Sequence, residues 1–198
     1  MTDADGTPAG RITVFLAEDN VLVREGVKAL LNQLALNEMD LAIMGRPTQG
    51  LGLEATSFMD NPLVVIARKD HALASCQRIP LARIAEEPFI VRETGSGTRL
   101  AAERFFAEHQ LTLKVRMELG SNEAIKQAIA GGLGVSVLSQ HTLALDGEGG
   151  LLQPLDVAGF PLRRKWYVAY PAGKHLSAVA EAFLAHLLGR NQGEEALR

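Results

Sequence analysis

The sequence predicts an α/β protein of two small lobes, each a sheet flanked by helices, with extended crossing strands between them as a hinge. Three observations carry this expectation. Short apolar, β-rich runs alternate with segments of helical period, the grammar of β-α-β units with right-handed crossovers. That alternation occurs twice along the chain. Extended stretches near Val64–Asp70 and Arg164–Tyr170 stand where the chain would pass from one set of elements to the other.

Ile12-Thr-Val-Phe-Leu-Ala17 is the first apolar run and reads as a buried strand. Asp19 or Asn20 would cap the following helix, Val21 to about Leu36, whose Val23, Val27, Leu30, Leu31 and Leu34 share one face. Asp40-Leu-Ala-Ile-Met44 is the next strand, ending in Gly45-Arg-Pro47, and Pro62-Leu-Val-Val-Ile-Ala67 is a further one. Arg68 to Arg78 reads as a linker. A short helix from about Leu81 to Glu86 leads to strand Phe89–Val91, a loop of small residues, and helix Arg99 to Glu108. Lys114-Val-Arg-Met-Glu-Leu119 alternates as a strand does, and Ser121 would cap a helix over Ala124 to Ala130. Gly131-Gly-Leu-Gly134 stops that helix before strand Val135–Leu138, so Phe89 to Ser139 predicts β-α-β-α-β and a small parallel sheet. Asp146–Gly150 reads as a turn, and Leu151–Val157 and Arg164–Tyr170 as extended. Leu176–Leu188 is an amphipathic helix, and the residues from Gly189 read as a loose tail. The predicted division is a disordered tail over 1–11, a first lobe over 12–70 plus 163–190, a second lobe over 71–162, and a tail over 191–198.

Composition narrows the function. The 198 residues carry a formal net charge of −3, with 47% hydrophobic and 22% charged residues, so neither a disordered chain nor a basic nucleic-acid surface is expected. The lone Cys76 excludes an internal disulfide, and the five histidines have no ligand spacing, so neither a metal nor another cofactor is expected. No signal-like or membrane-length apolar run occurs, which predicts a soluble, cytoplasmic protein that binds no membrane. No ordered Ser-His-Asp set, paired-carboxylate motif or nucleophile elbow is visible, and no enzyme is expected.

The residues that could carry chemistry sit where strands turn into helices. Ligands of open α/β sheets lie beyond the carboxyl ends of the strands, where helix N-termini leave amides without carbonyl partners. Ser96, Gly97, Thr98 and Arg99 could form an anion cradle of amides, two hydroxyls and a guanidinium that grips carboxylate or phosphate bidentately. The same residues also fit a plain capped helix start, and no Lys-Ser/Thr follows to make a P-loop. Ser121 and Asn122 open the next helix and carry the same two readings, and Arg46 follows a strand end from which it could meet a ligand. If the lobes face one another, these three loops would converge on one cleft.

Four segments carry a family resemblance: Leu36-Asn-Glu-Met-Asp-Leu-Ala-Ile-Met-Gly-Arg-Pro47, Phe89 to Arg99, Met117 to Gly134, and Arg164-Lys-Trp-Tyr-Val168. With them, the chain from about Gln33 to Leu188 resembles the effector-binding domain of LysR-type transcriptional regulators, and most of all the subgroup that controls Calvin-cycle (RuBisCO) operons. The resemblance implies a two-lobe, periplasmic-binding-protein-like (type II) fold and a small anionic metabolite as partner, such as a phosphorylated sugar or NADPH, held at Ser96–Arg99 and Ser121–Asn122. It also implies homodimer formation. The family's winged helix-turn-helix and the first strand and helix of its first lobe have no counterpart among these residues. A truncated or chimeric sensing domain without direct DNA contact is therefore expected.

Ile12 to Leu31, over the segment 12–33, resembles instead the opening strand and helix of a response-regulator receiver domain, with Glu18 and Asp19 at its acidic pair. The strand that should supply that family's phosphoacceptor ends Ile43-Met-Gly-Arg-Pro47 without a carboxylate, so no phosphoryl transfer is expected. Two other readings stay open: a solute-binding protein of periplasmic type, and a fused fragment that retains no ligand site.

Overall fold

The computed structural model describes residues 14–16, 39–47, 50, 52–144 and 150–195. In chain order the strands are β1 (Val14–Leu16), β2 (Leu41–Met44), β3 (Leu53–Asp60), β4 (Leu63–Arg68), β5 (Pro88–Arg92), β6 (Lys114–Leu119), β7 (Ser136–Ser139), β8 (Leu152–Pro154) and β9 (Lys165–Pro171). The helices are α1 (Leu81–Ala85), α2 (Gly97–Glu108), α3 (Asn122–Ala130), α4 (His141–Ala144) and α5 (Ala178–Glu195). The described residues divide into two compact units, with the chain passing between them at Asp60–Asn61 and at Arg164–Lys165.

The first unit is built on a sheet of order β1-β2-β9-β3. β1 and β2 pair in parallel, Val14 opposite Leu41, as the predicted β-α-β unit requires. The helix predicted over Val21–Leu36, and with it most of the receiver-like segment 12–33, lies outside the described residues. β9 runs antiparallel to both of its neighbours. The sequence reading has no counterpart for β3, because its residues are mostly exposed and show no period of two. What holds it is the backbone ladder with β9, interrupted by a bulge between Ser57 and Met59. Leu41, Val168 and Ala180 form the centre of this unit's core, against which Phe58, Phe183, Leu184 and Leu187 pack. α5 begins at Ser177, whose Oγ accepts the Ala180 N–H at 3.2 Å. It then runs through Gly189 to Glu195, where a loose tail is expected. A glycine inside a helix costs only about 1 kcal/mol, too little to end one.

The second unit contains β4 to β8. β5 pairs in parallel with β6, and a single parallel bridge, Phe89–Val135, joins β5 to the start of β7. The predicted parallel arrangement is thus present as β6-β5-β7, but β4 adds to it antiparallel to β7 and to β8. The sheet is mixed rather than parallel. These pairings place β4 in the second unit, although the sequence reading assigns residues up to 70 to the first lobe. Burial explains the uninterrupted apolar run of β4. Leu63, Val65 and Ala67 face one core with Phe89, Val91, Ala102 and Phe106. Val64 and Ile66 face another with Ile90, Ile125, Ile129 and Leu138. A strand buried on both faces has no polar positions to alternate. α2 covers the first face, where Phe106 meets Phe89 edge-on with ring centroids 5.7 Å apart. α3 covers the second.

The close approach of β5 to the chain entering β7 depends on Gly134. Val135 N–H donates to the Pro88 carbonyl at 2.9 Å. A Cβ on Gly134 would lie 2.1 Å from that carbonyl oxygen, and its φ of +151° suits glycine alone. Gly131, by contrast, ends α3 at φ −73°, which alanine adopts freely. Gly134→Ala is therefore expected to lower stability by roughly 2–4 kcal/mol. Gly131→Ala should be neutral or stabilising by less than about 1 kcal/mol. Urea unfolding followed by circular dichroism checks both.

Candidate functional site

β5, β6 and the start of β7 run in parallel, so α2 and α3 both begin at the same end of this unit's sheet. Each helix start is organised by a serine. Ser96 is fully buried and caps α2, its Oγ accepting the Arg99 N–H at 3.5 Å while its own N–H donates to the Glu93 carbonyl at 3.1 Å. Gly95 makes the turn into the cap at φ +97°. Ser121 caps α3, its Oγ accepting the Ala124 N–H at 3.2 Å. The remaining first-turn amides have no carbonyl within their own helix, and they lie at its positive end.

A residue absent from the sequence reading joins the two starts. Arg92, the last residue of β5, is 2% exposed. Its Nε and Nη2 donate to the two carboxylate oxygens of Glu93 at 2.9 and 3.0 Å, and its Nη1 donates to Asn122 Oδ1 at 2.7 Å. A guanidinium is a donor only. Its partner atom on Asn122 is therefore the oxygen, which leaves the amide NH2 of Asn122 as the group able to donate to a ligand. Ser96, Gly97, Thr98, Ser121 and Asn122 thus belong to one corner of the second unit, with Arg92 as the link.

Arg99 lies in the same corner, but its guanidinium has other partners. Nε donates to Glu103 at 2.7 Å, and Nη1 to Glu118 Oε2, to the Arg92 carbonyl at 3.1 Å and to Thr94 Oγ1 at 3.3 Å. Glu118 Oε1 also accepts the Thr94 N–H, at 3.2 Å. Two carboxylates offset one positive charge. In this structure Arg99 clamps the loop to β6, whereas the sequence reading gives it a bidentate grip on an anion. Arg46 follows β2 in the first unit and is exposed. Asn61, 2% exposed, and Ser139 add a further polar pair at the carboxyl end of β7, with Ser139 Oγ donating to Asn61 Oδ1 at 2.6 Å. Among the described residues, no cluster of His, Cys, Asp and Glu could hold a metal ion.

The sequence signal for Arg92 is weak but physical: a charged pair, Arg92-Glu93, directly follows a run buried on both faces. Glu118 and Asn61 carry no such signal, since their partners lie far away in the chain.

The clamp has a pH signature. Hydrogen bonds from Arg99, and then from the Thr94 amide, hold the Glu118 carboxyl below its ordinary range. A carboxylate depressed in the folded state stabilises that state above its unfolded pKa, and the stabilisation is lost as pH falls through the folded value. The side-chain carboxyl resonance of Glu118 is expected to titrate below the usual glutamate range, and Arg99→Gln should return it there. An unperturbed midpoint in the parent chain would show the clamp to be absent.

The model of the LysR substrate binding domain matches residues 20–192. The RuBisCO operon transcriptional regulator of Acidithiobacillus ferrooxidans is 51% identical over 168 residues, which is 85% of this chain and 54% of that protein. The HTH-type transcriptional activator CmpR of Synechocystis sp. is 49% identical over 163 residues, 82% of this chain and 54% of that protein. The chain thus spans about half the length of the curated relatives it matches. Among solved structures, the regulatory domain of CcmR from Synechocystis PCC6803, in complex with 2-PG, is 42% identical. It superposes with a TM-score of 0.81 over 92% of this chain and 97% of that one. This likeness bears out the expected mixed α/β, two-lobe periplasmic-binding-protein-like class. The chain belongs to the LysR substrate-binding domain family.

Proposed function

We propose that this chain is the effector-sensing part of a LysR-type regulator of carbon-fixation genes, and that the corner between α2 and α3 receives the anionic group of a small phosphometabolite. The observation that carries this reading is the bond from Arg92 to Asn122 Oδ1, which leaves the side-chain NH2 of Asn122 to donate at the start of α3. Amides at helix starts are suited to phosphate and carboxylate oxygens. Ser96, Gly97 and Thr98 supply one set of donors and Ser121 and Asn122 the other, while Arg99 holds the loop in register through Glu103 and Glu118. 2-Phosphoglycolate is the first candidate, because the CcmR domain forms a complex with it. Phosphorylated sugars and NADPH follow.

On this reading the chain binds and does not catalyse, in keeping with relatives named as transcriptional regulators. It works in the cytoplasm, pairs with a second copy of itself, and leaves DNA contact to another part of the regulator. Ligand capture shifts an equilibrium between conformations by its differential affinity for them. Among the described residues, no helix is long and apolar enough to cross a membrane.

Isothermal titration with 2-phosphoglycolate tests the proposal, with sugar phosphates and NADPH as a panel. Saturable heat and a raised melting temperature are expected with at least one member. Asn122→Ala should weaken that binding by about ten- to a hundredfold, the equivalent of one hydrogen bond to a charged group. Arg46→Ala in the same titration decides whether Arg46 contributes. Absence of heat and of thermal stabilisation across the panel would favour a fragment without a ligand site.

A further inference from the structure

The second unit also holds a cavity of about 300 Å3 at the other end of its sheet, bounded by the start of β5, the end of β4 and the chain that leaves α3. Arg68, Asp70, His71, Glu87, Arg116 and Leu133 are among its lining residues. Most of this charge is already balanced. Asp70 accepts from Arg68 Nε, and from Nη2 at 2.6 Å. Glu87 accepts from Arg83 at 2.7 Å and faces His71 Nε2 at 3.6 Å. His71 Nδ1 accepts the Leu73 N–H at 3.2 Å, which keeps the proton of the neutral ring on Nε2, the side toward Glu87.

Arg116 is different. Among the described residues its guanidinium meets no carboxylate, and its Nη1 donates to the Leu133 carbonyl at 3.1 Å. The backbone explains why it lines the cavity at all. Phe89 pairs with Val115 and Ile90 with Met117, so Arg116 is the extra residue of a β-bulge in β6. A bulge re-aims a side chain that regular alternation would send elsewhere, and bulges recur beside functional sites. The formal charges of the lining sum to zero with His71 neutral, two arginines against Asp70 and Glu87, but Arg116 is the lining cation that neither carboxylate meets. Four of the five N–H donors of Arg116 lie beyond its bond to Leu133.

We propose that this cavity is a second ligand site, which binds the phosphate or carboxylate group of a small metabolite on Arg116. The apolar part of the ligand lies against Leu133 and Pro88. A cavity of this volume is large enough for such a molecule. The site is separate from the corner at Ser96 and Asn122 and does not rest on the function assigned there.

The test uses the full, isotope-labelled chain titrated separately with inorganic phosphate and with malonate, following the backbone amides of Gly132, Leu133 and Gly134. Saturable shifts at these amides are expected, and the stronger of the two probes identifies the oxyanion. Arg116→Gln should weaken binding about tenfold or more, while Arg104→Gln, on the exposed face of α2, leaves it unchanged. Arg116 is exposed, so this change spares the core. Asp70→Asn releases Arg68 and should tighten binding, an opposite sign that general loss of structure cannot produce. Amides that stay still with both probes, or shifts that persist in Arg116→Gln, would overturn the proposal.

Discussion

A buried guanidinium has to be met by acceptors on nearly every side, because an unpartnered charge away from water costs several kcal/mol. Arg92 is that constraint here. It stands at the end of a strand buried on both faces, and its acceptors come from the next residue and from the first residue of α3. Satisfying it fixes where α3 begins relative to β5. Because Glu93 also accepts the fork of Arg92 while its carbonyl takes the Ser96 N–H, the same demand fixes the turn into α2. Two helix starts twenty-five residues apart, at Gly97 and Asn122, are thereby held as one polar corner.

The sheet beneath that corner is rigid for reasons of packing. β4 and β5 each direct alternate residues into two separate cores, one closed by α2 and the other by α3. Neither strand can slip by one residue without exchanging its two buried faces. Gly134 lets the chain entering β7 come against Pro88, and that contact joins the two parts of the layer. A ligand corner mounted on such a sheet loses little entropy on binding, since its groups are already ordered.

Much of this was legible in the sequence, and the exceptions have physical causes. Runs such as Leu63–Arg68 and Pro88–Arg92 announce strands because burial on both faces demands unbroken apolar residues. Ser96 and Ser121 announce helix starts because their hydroxyls replace a missing carbonyl. β3 was hidden because an edge strand held by its ladder needs no apolar period, and α5 outran Gly189 because the penalty for one glycine is small. The site was legible as a set of loops but not as a network. The partners of Arg99 and Arg92 include Glu118 and Asn122, nineteen and thirty residues away, and no local pattern encodes such pairings. The aim of Arg116 depends on a bulge, which is a property of two strands and not of one.

The central claim is that Arg92 acts on a ligand through Asn122 rather than by touching it. A double-mutant cycle on 2-phosphoglycolate affinity, using Arg92→Gln, Asn122→Ala and the pair, measures this directly. Residues in one hydrogen-bond network couple by about 0.5–3 kcal/mol, so the second substitution should cost little once the first has been made. Strictly additive losses would contradict the account, because they would mean that Arg92 and Asn122 serve the ligand independently.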